Sequence, residues 1–171
     1  MTNDRPQHSR PTADELIELW QFQPMDTENI LFAQSYIAPT KLDGGKAVST
    51  AIIAMVTKDP QSFSDMHRLP TDELWHFYLG DAIELLLLHP DGSDELVILG
   101  QEVLNGEQVQ FVVPAGAWMG ARLRPGGEYG VFGNTMAPGF DVTDFEGVAA
   151  DDLIERWPQR EALIRAMTRS D

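Results

Sequence analysis

The sequence contains no cysteine, which excludes disulfides, thiolate nucleophiles, cysteine-bound zinc and iron–sulfur clusters. Basic residues are scarce too: 12 Lys and Arg stand against 27 Asp and Glu, giving a formal net charge of −15. A polyanion of this kind repels phosphate groups. We therefore expect neither nucleic acid nor an anionic membrane surface among the partners.

Long apolar runs are also missing, since none approaches the ~20 residues that a membrane-spanning helix needs. The first residues are polar and lack the apolar stretch of a secretory signal. We predict a soluble, cytoplasmic protein. Its 171 residues, 43% of them hydrophobic, fit one domain with one sizeable core.

Helical patterns are confined to the two ends of the chain. Residues 1–11 show no periodicity and are predicted to form a flexible tail. Thr12 and Glu15 have the spacing of a capping box, and apolar residues at helical spacing then predict a helix over 12–20. A second helical pattern covers about 150–168, and Pro158 should split it into two short helices.

Between these ends, from about 30 to 146, short apolar runs alternate with turns rich in Gly, Pro and Asn, which predicts strands. No gap holds a crossover helix, so the strands should be antiparallel, and we predict an all-β fold. The runs are Ile30–Pro39, Ala47–Thr57, Leu74–Leu79, Ala82–His89, Glu95–Gly100, Val109–Val113, Ala117–Leu123 and Tyr129–Asn134.

Of the four histidines, His8 falls in the tail and His89 at a turn, and both should be solvated. His67 and His76 lie in a polar and aromatic stretch that ends at Gly80. In that stretch His67, Glu73 and Gly80 keep the spacing of the first cupin motif, His-x-His followed by Glu and Gly.

A second stretch matches the second cupin motif, Pro-x-Gly followed by His, through Pro114 and Gly116. With the longer strings His67–Gly80, Phe111–Leu123 and Ala137–Glu146, the chain resembles the cupin superfamily. The similarity is to its uncharacterised RmlC-like jelly-roll subfamily with degenerate metal motifs. This resemblance implies a double-stranded β-helix, the cupin jelly roll, with short N- and C-terminal helices.

Many cupins hold a metal ion with three histidines and a glutamate, and the resemblance carries over only two of these, His67 and Glu73. Leu69 and Met119 occupy the other two ligand positions, and a thioether suits hard divalent ions poorly. We expect no cofactor, and His67 and Glu73 would be the metal candidates if an ion did bind.

The subfamily resemblance also implies a homodimer, and the early strands Ile30–Pro39 and Ala47–Thr57 suit an interface because edge strands need covering. The chain departs from the subfamily at Gln23–Asn29, where a His-Pro-Glu-Gly-Gly string is usual. The sequence assigns no site role to that segment.

Alternation along strands predicts which side chains enter the barrel. If Glu73 points inward, so do Trp75, Phe77 and Leu79, while His76 points outward or into a partner subunit. If Met119 points inward, Trp118 and Arg122 lie on the other face or at the rim. The predicted ligand-binding residues are Trp75, His76, Phe77, Trp118, Met119, Arg122 and Tyr129.

An apolar cup with a few polar groups is typical of a small-molecule pocket. Burial should raise the pKa of Glu73 unless His67 is protonated beside it, and the pair could then move a proton to or from carbon. The resemblance to dTDP-keto-deoxyhexose epimerases, in which a metal-independent histidine acts as base, suggests an epimerase or isomerase with His67 as base. It would act on a sugar nucleotide or a small polar or anionic metabolite.

Other interpretations stay open at this point. The cup could bind a ligand without catalysis, as a sensing module, or serve a metal-dependent cupin enzyme with an incomplete ligand set. The His67–Glu73 pair could also be a structural hydrogen bond in the core.

Overall fold

The computed structural model describes residues 10–169 and contains two antiparallel sheets packed face to face. The predicted tail, apart from Arg10 and Pro11, lies outside the described residues, as does His8. The six-stranded sheet has the order β1-β2-β3-β10-β5-β8 and the five-stranded sheet the order β11-β4-β9-β6-β7. The strands are β1 (Gln23–Pro24), β2 (Leu31–Ile37), β3 (Thr50–Thr57), β4 (Phe63–Arg68), β5 (Glu73–Gly80), β6 (Ile83–Leu88), β7 (Asp94–Leu99), β8 (Gln110–Val113), β9 (Trp118–Leu123), β10 (Tyr129–Met136) and β11 (Glu146–Gly147). The predicted fold, antiparallel and mostly β with short helices at both ends, is confirmed.

The main core lies between the two sheets and follows the strand alternation. On β6, Ile83, Leu85 and Leu87 are fully buried and point into this core. Leu86 and Leu88 are equally buried but belong to a second cluster on the outer face of the sheet. Apart from Glu84, the strand is apolar, because both of its faces are covered.

The C-terminal helices provide that outer cover. The helix α2 (Ala150–Arg156) and the helix α3 (Glu161–Ala166) are joined by a 3-10 turn that begins at Pro158, as predicted. Trp157 and Met167 pack from this segment onto the five-stranded sheet. The helices therefore lie on the outside of the barrel.

The N-terminal helix α1 (Ala13–Trp20) covers part of the outer face of the six-stranded sheet. Its predicted capping box is present, with Thr12 and Glu15 bonded reciprocally. Leu16 packs against Met55 and Val131. Just before the helix, the guanidinium of Arg10 donates two hydrogen bonds to Asp81, of 2.8 and 2.9 Å. No helix in residues 10–169 has the length and apolar character needed to cross a bilayer.

One predicted orientation is wrong. Leu79 packs against the α1 cluster on the outer face, whereas Trp75 and Phe77 point into the barrel as predicted. The reason is a β-bulge: Phe77 pairs with Phe132 and Leu79 with Val131, so the residue between them is unpaired and the alternation reverses.

The strand β4 is not among the predicted strands. It contains Ser64, Asp65 and His67, all of which are buried, so its composition is too polar to stand out as a core strand. Its other face carries Met66, whose backbone N–H donates to the carbonyl of Met167 at 2.7 Å. One strand thus serves both the barrel interior and the outer helical cluster.

Candidate functional site

Part of the barrel interior is an open cavity of about 370 Å³. The rest is filled by the core, with Phe77 and Phe132 among its large side chains. Buried polar groups line the deep part of the cavity, and exposed residues, Ile37 and Lys41 among them, line its mouth. The lining residues are Met25, Thr27, Glu28, Phe32, Gln34, Ile37, Lys41, Gly45, Lys46, Ala47, Thr50, Ile52, His67, Leu69, Glu73, Trp75, Asn134, Met136, Phe140 and Asp141.

Glu73 opens strand β5 and lies in the deep part of the cavity, 7% exposed. The indole Nε1 of Trp75, two residues along the same face, donates a 2.7 Å hydrogen bond to one carboxyl oxygen of Glu73. The Trp75 ring is held in turn by stacking on Phe132, with ring centroids 4.7 Å apart. The carboxyl group is therefore fixed by a side chain that is itself packed.

Burial raises the pKa of Glu73 from 4.5 to about 7, because the surroundings cannot solvate a carboxylate. A positive charge on His67 and the Trp75 hydrogen bond act in the opposite direction, and the charge of Glu28 adds to the increase. The expected increase by burial is confirmed. At neutral pH both the acid and the carboxylate form of Glu73 are therefore well populated.

His67 lies on β4 and is 2% exposed. Its Nδ1 is 2.7 Å from the backbone carbonyl of Asp65. A carbonyl can only accept, so Nδ1 carries the proton, and in the neutral ring Nε2 is left as a proton acceptor. The ring stacks on Phe145, with centroids 4.8 Å apart, which fixes its plane.

His67 and Glu73 line the same cavity but no direct hydrogen bond joins them in the described structure, since each has another partner. Their interaction is electrostatic. The structural hydrogen bond between His67 and Glu73, one of the interpretations of the sequence, is therefore not formed. Glu73 accepts from Trp75, and His67 donates to the Asp65 carbonyl. This arrangement leaves one oxygen of Glu73 and Nε2 of His67 without a hydrogen-bond partner among residues 10–169.

Asn134 on β10 is a further buried polar group in the cavity wall, 7% exposed. Its amide nitrogen is the one side-chain polar atom within residues 10–169 that is both shielded from solvent itself and without a hydrogen-bond partner. Asn134 pairs across the sheet with Trp75, and the next inward residue, Met136, pairs with Glu73. The amide and the carboxyl are thus diagonal neighbours on one face.

The mouth is shaped by two chain segments that bond to each other. The ammonium of Lys46 forms an ion pair with Asp144, and the backbone N–H of Phe140 donates to the hydroxyl of Thr50 at 2.9 Å. Gly139 allows this approach, because a Cβ there would meet the Thr50 methyl at 2.8 Å. The segment 137–141, part of one string behind the resemblance, therefore borders the cavity.

The remaining predicted ligand-binding residues do not line this cavity. Phe77 and Met119 point into the barrel but are packed in its filled part. Trp118 and Arg122 face outward, where Arg122 donates a 2.8 Å hydrogen bond to Glu84.

His76 and Tyr129 lie on the outside of the six-stranded sheet, where the protein itself supplies their partners. The two ring nitrogens of His76 are within 3.1 Å of Gln110 and 3.2 Å of Thr135, and burial lowers the pKa of His76. The Tyr129 hydroxyl donates to the carbonyl of Pro11 at 2.6 Å.

The residues present do not make the metal site that many cupins carry. Leu69 lines the cavity at one ligand position, and Met119 pairs with His67 at another. Within residues 10–169 no three His, Asp or Glu side chains converge as a set of metal ligands. With His67 and Glu73 alone, the donor set is too small for a divalent ion, which prefers four or more ligands.

Sequence reasoning missed Glu28 and Asn134. Glu28 belongs to the segment without an assigned role, and its carboxylate accepts a hydrogen bond from Ser64 while lining the cavity. No signal in the sequence marks it. Asn134 did leave a signal, because it is the polar residue between Phe132 and Met136 on an otherwise apolar inward face.

Comparison with known proteins agrees with this architecture. The model of the family described as "Cupin superfamily (DUF985)" matches residues 14–148, and the chain belongs to that family. It is 26% identical over 110 residues to the uncharacterized protein YML079W of Saccharomyces cerevisiae. That match covers 63% of this chain and 54% of the yeast protein, so the chain spans about half the length of that relative.

Two solved structures are similar over almost the whole chain. Protein SO0799 from Shewanella oneidensis has a TM-score of 0.86 at 26% identity, covering 95% of this chain and 100% of that one. A hypothetical protein from Leishmania major has a TM-score of 0.83 at 29% identity, covering 94% and 100%. These similarities support the fold and the family, and their names assign no activity.

Proposed function

We propose that this cupin binds a small polar metabolite in the barrel and catalyses a metal-independent proton transfer at carbon, as an epimerase or isomerase. The observation that carries the proposal is the cavity of about 370 Å³ with His67 and Glu73 buried in its wall. This volume is near the lower end of the range for small-molecule sites. It favours a compact metabolite over a complete sugar nucleotide, which would extend out of the mouth.

The two side chains have complementary properties for acid–base catalysis. In its neutral form, His67 presents Nε2 as a proton acceptor, because the Asp65 carbonyl keeps the ring proton on Nδ1. Glu73, with a pKa of about 7, supplies a proton donor and a proton acceptor in comparable amounts at neutral pH. A catalytic group is most effective when its pKa is near the working pH.

The proposed reaction is reversible and needs no co-reactant. Nε2 of His67 takes a proton from an acidic carbon, and the electron pair of that C–H bond is delocalised into the neighbouring electron-withdrawing group of the ligand. A proton then returns to carbon from the opposite face, giving an epimer, or to a neighbouring carbon, giving an isomer. For an isomer, the proton taken by His67 itself goes to the neighbouring carbon. For an epimer, Glu73 gives the proton from the opposite face, and the proton on His67 then passes to Glu73 through solvent, which restores both side chains.

The test begins with a thermal-unfolding screen of small organic acids, sugars and sugar phosphates. A ligand that binds only the folded state raises the unfolding midpoint with concentration. Each stabilising compound is then incubated with the protein in D₂O, and loss of a carbon-bound hydrogen is followed by NMR. We expect wild type to exchange one hydrogen and His67→Gln to bind the compound but exchange it about 10²–10⁴-fold more slowly.

The matched control is His89→Gln, which makes the same change at a turn outside the cavity and should exchange at the wild-type rate. Exchange that is equally fast in His67→Gln would overturn the assignment of the base. If a compound stabilises wild type but no hydrogen exchanges, the result would contradict catalysis and support a ligand-binding or sensing role instead. A panel that produces no shift at all would contradict both.

A further inference from the structure

A β-bulge in β4 brings His67 into the cavity. The pairing of β4 with β9 is interrupted between Ser64 and His67, where the two intervening residues of β4 stand opposite the single residue Gly120. Because these two residues share one place in the alternation, Ser64 and His67 point to the same face although they are three positions apart. Ser64 donates to Glu28 of the cavity wall, and His67 lines the cavity. In a regular strand one of the two would face outward.

The two residues of the bulge, Asp65 and Met66, project to the outer face of the sheet. Met66 packs in the cluster formed with the C-terminal helices, and Asp65 is bonded to Arg169. Gly120 leaves room for this arrangement, because a Cβ there would meet the Met66 sulfur at 2.5 Å. The bulge therefore turns a carboxyl group away from the cavity and toward the end of the chain.

The Asp65 carboxyl group is buried on this outer face and depends on Arg169 for its partners. Asp65 is 8% exposed, and burial raises its pKa, while the hydrogen bonds and the charge of Arg169 act in the opposite direction. The backbone N–H of Arg169 donates to one carboxyl oxygen at 3.0 Å, and its Nε is 2.5 Å from the other. Without the guanidinium, a buried charge would lose its counter-ion, which strongly destabilises a folded protein.

Asp65 also holds the His67 ring through its backbone. Its carbonyl oxygen is 2.7 Å from Nδ1 and keeps the ring proton there. A bulge interrupts the ladder of hydrogen bonds to the neighbouring strand, so other contacts must hold the chain at this point. The end of the chain supplies them: the Met167 carbonyl accepts from the backbone N–H of Met66 at 2.7 Å, and Arg169 holds the Asp65 side chain.

We infer that Arg169 is a positioning residue for His67: it compensates the charge of Asp65, holds the bulge in place, and so keeps Nε2 of His67 as the proton acceptor in the cavity. Arg169 does not line the cavity, so its effect passes through β4. The inference deepens the proposed function, on which its catalytic consequence rests. Its structural part concerns the tautomer of His67 and can be measured on the protein alone.

The first experiment needs no ligand. Long-range proton–nitrogen NMR spectra report which ring nitrogen of a neutral histidine carries the proton, and His67→Gln identifies the His67 signals by their absence. At the high-pH limit we expect wild type to carry the proton on Nδ1 and Arg169→Gln to show a mixture in which Nε2 is also protonated. The control is Arg165→Gln, the same change at an arginine of α3 that pairs with Asp151 and Glu161, and it should match wild type.

Asp65→Asn separates charge compensation from loss of packing. Combined with Arg169→Gln, it removes the unpaired buried charge, so the double variant should recover the wild-type tautomer and resist urea better than Arg169→Gln does. It also keeps the inference testable if Arg169→Gln alone does not fold. A double variant as disturbed as Arg169→Gln would overturn the inference. So would a wild-type tautomer in Arg169→Gln, or equal changes in Arg169→Gln and Arg165→Gln.

The second experiment repeats the D₂O exchange assay with a compound found in the screen. Arg169→Gln should exchange the carbon-bound hydrogen about 10–10²-fold more slowly at a nearly unchanged dissociation constant, as expected for a displaced catalytic group. Exchange at the wild-type rate would overturn the positioning role. An unchanged tautomer refutes the inference and leaves the proposed function standing. A screen without ligand or exchange removes the proposed function, and the tautomer of His67 still decides the inference.

Discussion

The burial of Glu73 predicts a pH dependence of stability that can be measured before any ligand is known. The pKa of this carboxyl is about 7 in the folded protein and 4.5 in the absence of burial. The folded state therefore binds the proton more tightly than the unfolded state does. Below pH 4.5 the carboxyl is neutral in both states and burial carries little electrostatic penalty. As the pH rises from 4.5 to 7, the unfolded state ionises first and stability falls.

Above pH 7 the penalty is complete and amounts to about 3 kcal/mol, the free energy that corresponds to moving the pKa from 4.5 to about 7. Glu73→Gln keeps the shape of the side chain and a carbonyl oxygen for the Trp75 indole, but it cannot ionise. We expect the variant to be about 2–3 kcal/mol more stable than wild type at pH 8.5 and to differ by under about 1 kcal/mol at pH 4.5.

The assay is urea unfolding followed by tryptophan fluorescence, at intervals between pH 4.5 and pH 9. The informative quantity is the difference in unfolding free energy between Glu73→Gln and wild type at each pH. The many other carboxylates contribute equally to both proteins and cancel in this difference. Glu155→Gln, the same chemical change on the exposed side of α2, is the control and should run parallel to wild type. A difference between Glu73→Gln and wild type that stays constant over this range would refute the burial argument.

Three further predictions concern the fold and the assembly. Leu85→Ala should cost about 2–5 kcal/mol in urea unfolding, because Leu85 is fully buried between the sheets; a loss below 1 kcal/mol would show that the core rearranges to fill the space. Tyr129→Phe should cost about 1 kcal/mol by removing the hydroxyl that donates to Pro11 and accepts from Arg10, and an unchanged midpoint would mean that these bonds contribute nothing. If the predicted homodimer uses β2, Tyr36→Glu, at a residue that is 51% exposed, should give a monomer by light scattering; a dimer that persists would locate the interface elsewhere.

The fold could be predicted largely from short-range signals. Turns rich in Gly and Pro separate most of the strands, the capping box at Thr12 fixes the start of α1, and Pro158 divides the C-terminal helices. The strand β4 could not be predicted from the sequence because its inward residues are polar. Whether polar residues are buried depends on partners from distant parts of the chain. The predicted orientation of Leu79 was wrong because the β-bulge depends on how the neighbouring strand is paired. The local alternation of residues contains no information about that pairing.

The site could be predicted only in part, for a related reason. His67 and Glu73 could be identified because they keep a known spacing, and the structure brings both to one cavity. The aromatic and basic residues predicted around them lie on both faces of their strands. Most of them pack against, or hydrogen-bond to, other residues of the protein. Glu28 reaches the cavity from a segment without regular structure, so no periodic pattern could indicate its direction.

The double role of β4 has a consequence for engineering this protein. The strand holds the His67 imidazole on one side and is tied on the other side to Met167 by a backbone hydrogen bond. Mutations selected for altered ligand binding or activity should therefore appear not only around the cavity but also among the residues of the C-terminal helices that pack on the outer face of β4. A screen restricted to cavity-lining positions would overlook side chains that set the position of the His67 ring, and a library that includes the residues packed on the outer face of β4 should recover them.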